Sequence, residues 1–297
     1  MNGSAAITLR MLLGDYPGTR ALKQGAVVSP FLRLEFADAK VPNRAFKQVV
    51  REAAFDAAEL AIVTYLQALA FGEPLVLLPA AVLGRFQHGY LAYNPARGPL
   101  APSELAGRRV GIRSSSVTTV AWIRGILAGD YGVDLDRVRW VTFEDAHVAE
   151  ARDPPGMERA PAGREIAAML RDGELDAAVL GEVPAPDSGL RPLIAEPDAA
   201  AQAWYAKHRA VPVNHLVVVK RSLADSRPDA VRELYRLLLE GKRAAAPAPA
   251  HGVDLLPFGV DALRPSLELI VEYAFRQRLI PRRFAVDELF DDVTRSL

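Results

Sequence analysis

The sequence predicts an α/β protein of two lobes, one inserted within the other, and three observations carry that prediction. At 297 residues the chain exceeds one average domain. Short runs rich in Val, Ile and Leu alternate with longer runs whose apolar residues recur at helical spacing. Two turn-rich crossings, Asn94 to Pro102 and Val211 to His215, bracket a middle part with its own strands and helices. The expected division is a discontinuous first lobe with C-terminal helices, residues 1–97 and 212–297, and an inserted second lobe, residues 98–211.

Ile7 to Leu13 reads as a strand, Arg20 to Gln24 as a short helix and Phe31 to Phe36 as a second strand. Asn43 to Ala54 follows as a helix with Phe46, Val49 and Val50 on one face. Ala61 to Val63 and Leu75 to Val82 continue the apolar core. Pro95, Gly98, Pro99 and Pro102 punctuate the chain, and Ser103 caps a short helix before the strand at Val110. The second lobe continues with the helix from Thr118, Val138 to Phe143, a polar loop through Asp153-Pro154-Pro155-Gly156, a helix at Glu165 to Leu170, a strand at Leu175 to Leu180 and a helix at Ala199 to His208. Leu216 to Val219 returns the chain to the first lobe. The last third is helical, with Val231, Leu234, Tyr235 and Leu238 on one face, an Ala/Pro linker at Ala244 to Ala250, and a long helix through Leu267, Ile270, Val271 and Ala274.

Lys plus Arg and Asp plus Glu number 36 each, a balance that argues against a nucleic-acid or anionic-membrane surface and for a small partner. The absence of cysteine excludes disulfides, thiolate nucleophiles and zinc–thiolate sites. Met1 to Arg10 has no basic segment followed by a long apolar one, so a cytoplasmic location is expected. No window of about 18 consecutive apolar residues calls for a membrane span.

The most informative stretch runs from Val110 to Leu127: a buried strand, the hydroxyl-rich turn Arg113-Ser114-Ser115-Ser116-Val117-Thr118-Thr119, and an amphipathic helix. Unpaired backbone N–H groups and the positive end of a helix dipole suit a carboxylate or phosphate there. Ser and Thr are also preferred at helix starts for capping alone, so a purely local role stands beside the anion-binding one.

A second level of reading comes from resemblance. The segments Gly14-Asp15-Tyr16-Pro17-Gly18-Thr19-Arg20-Ala21-Leu22, Ala54 to Leu66, Gly84-Arg85-Phe86-Gln87-His88-Gly89, Trp122 to Leu127 with Tyr131-Gly132-Val133, Trp140-Val141-Thr142, Gly173 to Ala177, Val211 to His215 and Pro257-Phe258-Gly259 resemble the 4,5-dihydroxyphthalate decarboxylase family, in order along nearly the whole chain. The resemblance implies a type 2 periplasmic-binding-protein-like fold with the ligand cleft between lobes, used as a cytoplasmic, cofactor-independent decarboxylase of a hydroxylated aromatic dicarboxylate. A solute-binding protein that captures a small carboxylate without catalysis is the alternative, and a menaquinone-pathway enzyme of the same broad fold is a third.

Removing CO₂ from a hydroxylated aromatic acid needs a proton for the ring carbon, electron donation from a ring hydroxyl and a grip on the carboxylate, and no redox cofactor. His88 is the candidate proton donor. Asp15 or Glu59 would accept from, or deprotonate, a ring hydroxyl. Arg20, Arg85 and the Ser114, Ser115, Ser116, Thr118 and Thr119 turn would hold carboxylates, with Arg113 at the strand end and His215 reaching in from the hinge. Each has a plainer alternative: Asp15 and Arg20 as a surface ion pair, His88 as a hydrogen-bonded structural histidine, Glu59 as a paired strand residue, His215 as a hinge residue. Glu144, Asp145, His147 and Glu150 tempt a metal assignment, but their spacing matches no compact ligand motif and a solvated acidic loop is expected instead. Trp122, Ile126 and Leu127 read as second-lobe core, and Trp204 and Tyr205 either stack on an aromatic ligand or pack.

Overall fold

In the computed structural model residues 6–297 are described; Met1 to Ala5, half of the N-terminal segment on which the expected cytoplasmic location rests, lie outside the described residues. The chain opens with β1 (Ile7–Leu12), α1 (Arg20–Lys23), β2 (Leu32–Phe36), α2 (Phe46–Glu52), β3 (Ala57–Ala61), α3 (Ile62–Ala70) and β4 (Leu75–Gly84). It continues through β5 (Leu91–Tyr93), β6 (Arg109–Ile112), α4 (Thr118–Asp130), β7 (Arg139–Thr142), β8 (Glu158–Arg159), α5 (Ile166–Asp172), β9 (Ala177–Val179), β10 (Arg191–Pro192) and α6 (Pro197–His208). β11 (Val213–Lys220), α7 (Arg221–Ser226), α8 (Pro228–Ala245), α9 (Val260–Arg276) and α10 (Asp292–Arg295) complete it.

These strands form two sheets, β2-β1-β3-β11-β4 and β10-β5-β9-β6-β7-β8. The chain first leaves the first sheet between Gly84 and Leu91, ahead of the Asn94 to Pro102 punctuation, because β5 pairs antiparallel with β9 through Leu91 and Val179. This three-residue strand, too short to display a period, precedes the 97/98 boundary read from Pro and Gly. The return passage lies between Pro192 and Val213. Ala61 to Val63, read as apolar core, are buried and straddle an element boundary: β3 ends at Ala61 and a helix begins at Ile62. Seven consecutive residues of α3 are buried, so no polar face reveals its helical period.

The register explains why one end of each sheet holds the chemistry. β11 runs antiparallel between β3 and β4, which sets His215 opposite both Ala61 and Leu83, and Val213 opposite Gly84. In the second sheet β6, β7 and β9 are parallel neighbours ending at Ile112, Thr142 and Val179. Ligand crevices of α/β proteins form beyond the carboxyl ends of such strands.

α4 belongs to both lobes. Leu127 packs in the core of the second sheet with Val110, Ile112 and Trp140, whereas Trp122 and Ile126 join the large core built on α3, α9 and the first sheet, which corrects their assignment to the second lobe alone. The Trp122 indole N–H donates to the Val213 carbonyl at 2.9 Å. Gly125 admits the Tyr273 ring against α4; a Cβ there would stand 2.0 Å from it. Among the described residues no helix is long and apolar enough to cross a membrane.

Candidate active site

A cavity of about 330 Å³ lies where the two sheet ends meet. The first lobe contributes Tyr16, the Lys40 to Asn43 connection, Phe46, Arg85, Asn214 and His215. The second contributes Arg113, Val117 to Val120, His147 and Val179 to Gly181. Three cationic side chains line it, Lys40, Arg85 and Arg113, and among the described residues no acidic one does.

Its most ordered polar unit is centred on Glu59, which is completely buried in β3. One carboxylate oxygen accepts from the Gly14 backbone N–H at 2.6 Å, the other from the Tyr16 hydroxyl at 2.7 Å and from His215 Nδ1 at 3.1 Å. A carboxylate in an apolar strand is tolerable only when satisfied in this way. The pairing follows from the register: Val217 sits opposite Glu59 and His215 opposite Ala61, so Glu59 and His215 share a sheet face one diagonal apart. Gly14 is required because a Cβ there would lie 2.4 Å from the Tyr16 ring, which folds back over the backbone to reach Glu59. Burial first, and the Glu59 charge next, push the Tyr16 phenol far above its usual range, so it stays a donor. The consequence for His215 is a defined tautomer: Nδ1 carries the proton given to Glu59, and Nε2 is left for the cavity that the ring lines.

Two helix starts also converge here. Neither N-cap residue, Ala61 of α3 or Val117 of α4, caps its helix with a side chain, and the first turn of α4 lines the cavity. The hydroxyls do other work. Thr118 Oγ1 accepts from the Val63 N–H at 3.2 Å, joining α4 to α3. Thr119 Oγ1 accepts from Arg85 at 3.2 Å and from Asn214 at 3.1 Å, and Asn214 in turn accepts from Gln87 at 2.8 Å. A hydroxyl that accepts in this manner keeps its own O–H to donate, and an anion in the cavity is a suitable acceptor.

His147 was missed as a site residue. It projects from the segment read as a solvated acidic loop, yet its ring lines the cavity, its Nδ1 meets Thr64 Oγ1 at 2.9 Å, and Arg51 holds its backbone carbonyl at 2.7 Å. His147 and His215 flank Phe46 edge-on at 5.5 and 5.1 Å. Burial, then the positive charges of Arg113 and Lys47, lower its pKa to about 4, so it is neutral at pH 7. Its acidic neighbours turn to arginines: Glu144 to Arg113 and Asp145 to Arg159. Among the described residues no three His, Cys, Asp or Glu side chains gather as metal ligands.

Several expected site residues lie elsewhere. His88 is buried off the cavity, edge-on to Trp204 at 6.1 Å with an unpartnered Nδ1, and burial lowers its pKa to about 4. Its short 3₁₀ turn packs against α6, which takes the ring away from the cleft. Asp15 and Arg20 form a solvent-exposed ion pair at 3.2 Å. Ser114 and Ser116 bond each other at 3.2 Å, and Ser115 donates to Asp153 at 2.6 Å, so these three hydroxyls brace the turn and do not line the cavity. Trp204 and Tyr205 pack, against Trp122 and Phe86 respectively.

No family model matches the chain. It is 29% identical over 284 residues to a 4,5-dihydroxyphthalate decarboxylase of Comamonas testosteroni, covering 89% of this chain and 84% of that one. A 4,5-dihydroxyphthalate decarboxylase of Pseudomonas putida is 27% identical over 215 residues, covering 67% of this chain and 81% of its own. Among solved structures, the alkanesulfonate-binding protein SsuA from Xanthomonas axonopodis pv. citri, bound to MOPS, superposes with a TM-score of 0.57 at 13% identity, covering 97% and 99% of the two chains. The chain is thus a sequence relative of the 4,5-dihydroxyphthalate decarboxylases, built on the two-lobed periplasmic-binding-protein-like fold.

Proposed function

We propose that the protein is a carboxy-lyase that decarboxylates a hydroxylated aromatic dicarboxylate of the 4,5-dihydroxyphthalate type. The observation that carries this reading is the Glu59–His215 pair at the wall of a cavity whose charged lining is cationic only. An anion-binding pocket needs no oriented imidazole; a proton transfer does.

Arg85, Arg113 and the first-turn N–H groups of α4 grip the two carboxylates, while Phe46, Leu83 and Val117 enclose the ring. A hydroxyl para to the departing carboxylate supplies electron density to the carbon that bears it. Starting as the imidazolium, with its Nδ1–H held by Glu59, His215 gives the Nε2 proton to that carbon, forming the C–H bond and leaving the neutral ring; the C–C bond to the carboxylate then breaks, its electron pair restores the aromatic ring, and CO₂ leaves. Solvent reprotonates His215, so one proton is consumed per CO₂ released. Glu59 keeps the ring oriented and stabilises the imidazolium when it forms. His147, neutral and held by Thr64, offers a second polar contact to the substrate's hydroxyl edge.

The test is CO₂ release and loss of the substrate's ultraviolet absorbance on mixing the purified protein with 4,5-dihydroxyphthalate. His215→Gln is expected to lower kcat by about a hundredfold or more with KM changed only a few-fold. Tight binding of the dicarboxylate with no turnover in the unmodified protein would overturn the enzymatic reading and leave a binding protein.

A further inference from the structure

A second, smaller cavity of about 140 Å³ opens between the far end of α4, the loop at Pro154 to Met157 and the end of α9. Arg124, on the face of α4 opposite Trp122's core, lines it and is only 4% exposed. Its guanidinium stacks on the Trp140 ring at 4.9 Å, but Nε and Nη1 are buried and meet no acceptor among the described residues. A buried charge is ordinarily paired, and breaking such pairing is costly, so this guanidinium is short of an anion.

Asp136 and Asp153 favour the guanidinium through space but form no hydrogen bond with its Nε or Nη1. Asp136 is engaged by Arg278 at 3.1 Å, Asp134 accepts from the backbone N–H of Asp136 at 3.1 Å, and Arg276 pairs with Glu272 at 2.5 Å. Gln277 adds a second unmet group. Its amide N–H donates to the Ala121 carbonyl at 2.8 Å, which sets the amide orientation and leaves, on a residue that lines the same cavity, a buried Oε1 with no donor. Arg278, next in sequence, holds a left-handed backbone conformation at φ 60°, uncommon for a residue other than glycine, and places a third cation at the mouth.

Buried donors of positive charge beside one buried acceptor define the complementary ligand: it carries negative oxygen atoms and also an O–H. We propose that this cavity binds a small hydroxylated oxyanion, hydrogenphosphate or hydrogencarbonate, with its oxygens on Arg124 and Arg278 and its O–H toward Gln277. The volume admits an ion of that size and not an aromatic dicarboxylate, so the site is separate from the central cavity and the inference does not depend on the decarboxylase reading.

Calorimetric titration of the full chain with sodium phosphate and, separately, sodium hydrogencarbonate, at constant ionic strength against chloride, reads the site. One saturable event is expected for at least one of the two anions, and the tighter of them is the ion the site prefers. Arg124→Met should weaken it by about tenfold or more, and Arg278→Gln, at an exposed position, by a few-fold. Arg85→Met, which alters only the central cavity, should leave it within about twofold. If Arg124→Met does not fold, the Arg278→Gln and Arg85→Met pair decides. Absence of saturable binding by either anion overturns the proposal, as does binding that survives both Arg124→Met and Arg278→Gln or disappears in Arg85→Met.

Discussion

Glu59 and His215 act as a pair: Glu59, already held by Gly14 and Tyr16, fixes the tautomer and orientation of the His215 ring. Glu59→Gln keeps the size and one acceptor while removing the charge. It should lower kcat by about tenfold to a hundredfold with KM within a few-fold, read alongside circular dichroism to show that the fold persists. Equal losses in kcat/KM and in the thermal midpoint, with kcat unchanged, would make the pair structural. His88 belongs to stability instead. Its pKa and that of His147 fall from 6.5 to about 4 on folding, so between those values the unfolded chain binds more protons and stability drops as the pH falls through that window. Each group contributes a slope of at most about 1.4 kcal/mol per pH unit. Denaturant titrations of His88→Gln from pH 7 to 4.5 should show a shallower fall than the unmodified protein, and parallel curves would contradict the burial argument.

At the scale of elements, the turn before α4 divides its labour in a way that composition does not display. Ser114 and Ser116 brace the turn from within, Ser115 ties it to Asp153, and the two threonines join lobes. Asp153 accepts from both Ser115 at 2.6 Å and Thr142 at 3.0 Å, which ties the polar loop to the ends of β6 and β7. Ser115→Ala leaves a half-buried carboxylate oxygen short of a donor and should cost about 1 kcal/mol by chemical denaturation, while substrate KM stays within about twofold. A tenfold rise in KM at unchanged stability would return Ser115 to the ligand.

At the scale of the whole molecule, the largest core runs from α2 and α3 through Trp122 and Ile126 of α4 to Tyr273 of α9 and Trp204 of α6. We place the lobe passages at residues 84–91 and 192–213, where the chain changes sheets. Because both passages are sewn into that shared core, calorimetry should show one unfolding transition, raised further by a saturating dicarboxylate through mass action. Two separated transitions would mean that the lobes hold together less tightly than their packing indicates.

The sequence by itself determined the alternation of strands and helices, the cationic reading of the cleft through Arg85 and Arg113, and the expectation that Glu59 and His215 carry chemistry, because hydrophobic period and residue type act over a few neighbours. Only the tertiary structure decided partnership. Glu59 and His215 are 156 residues apart and meet through the register of an antiparallel strand inserted between two others. His88 and His147 exchanged places for the same reason: one sits in a turn that packs inward against α6, the other on a loop pulled across the cleft by Arg51. Burial of α3 on every side erased the one local signal that distinguishes helix from strand. Side-chain direction and hydrogen-bond satisfaction depend on distant backbone, and no spacing within the chain encodes them.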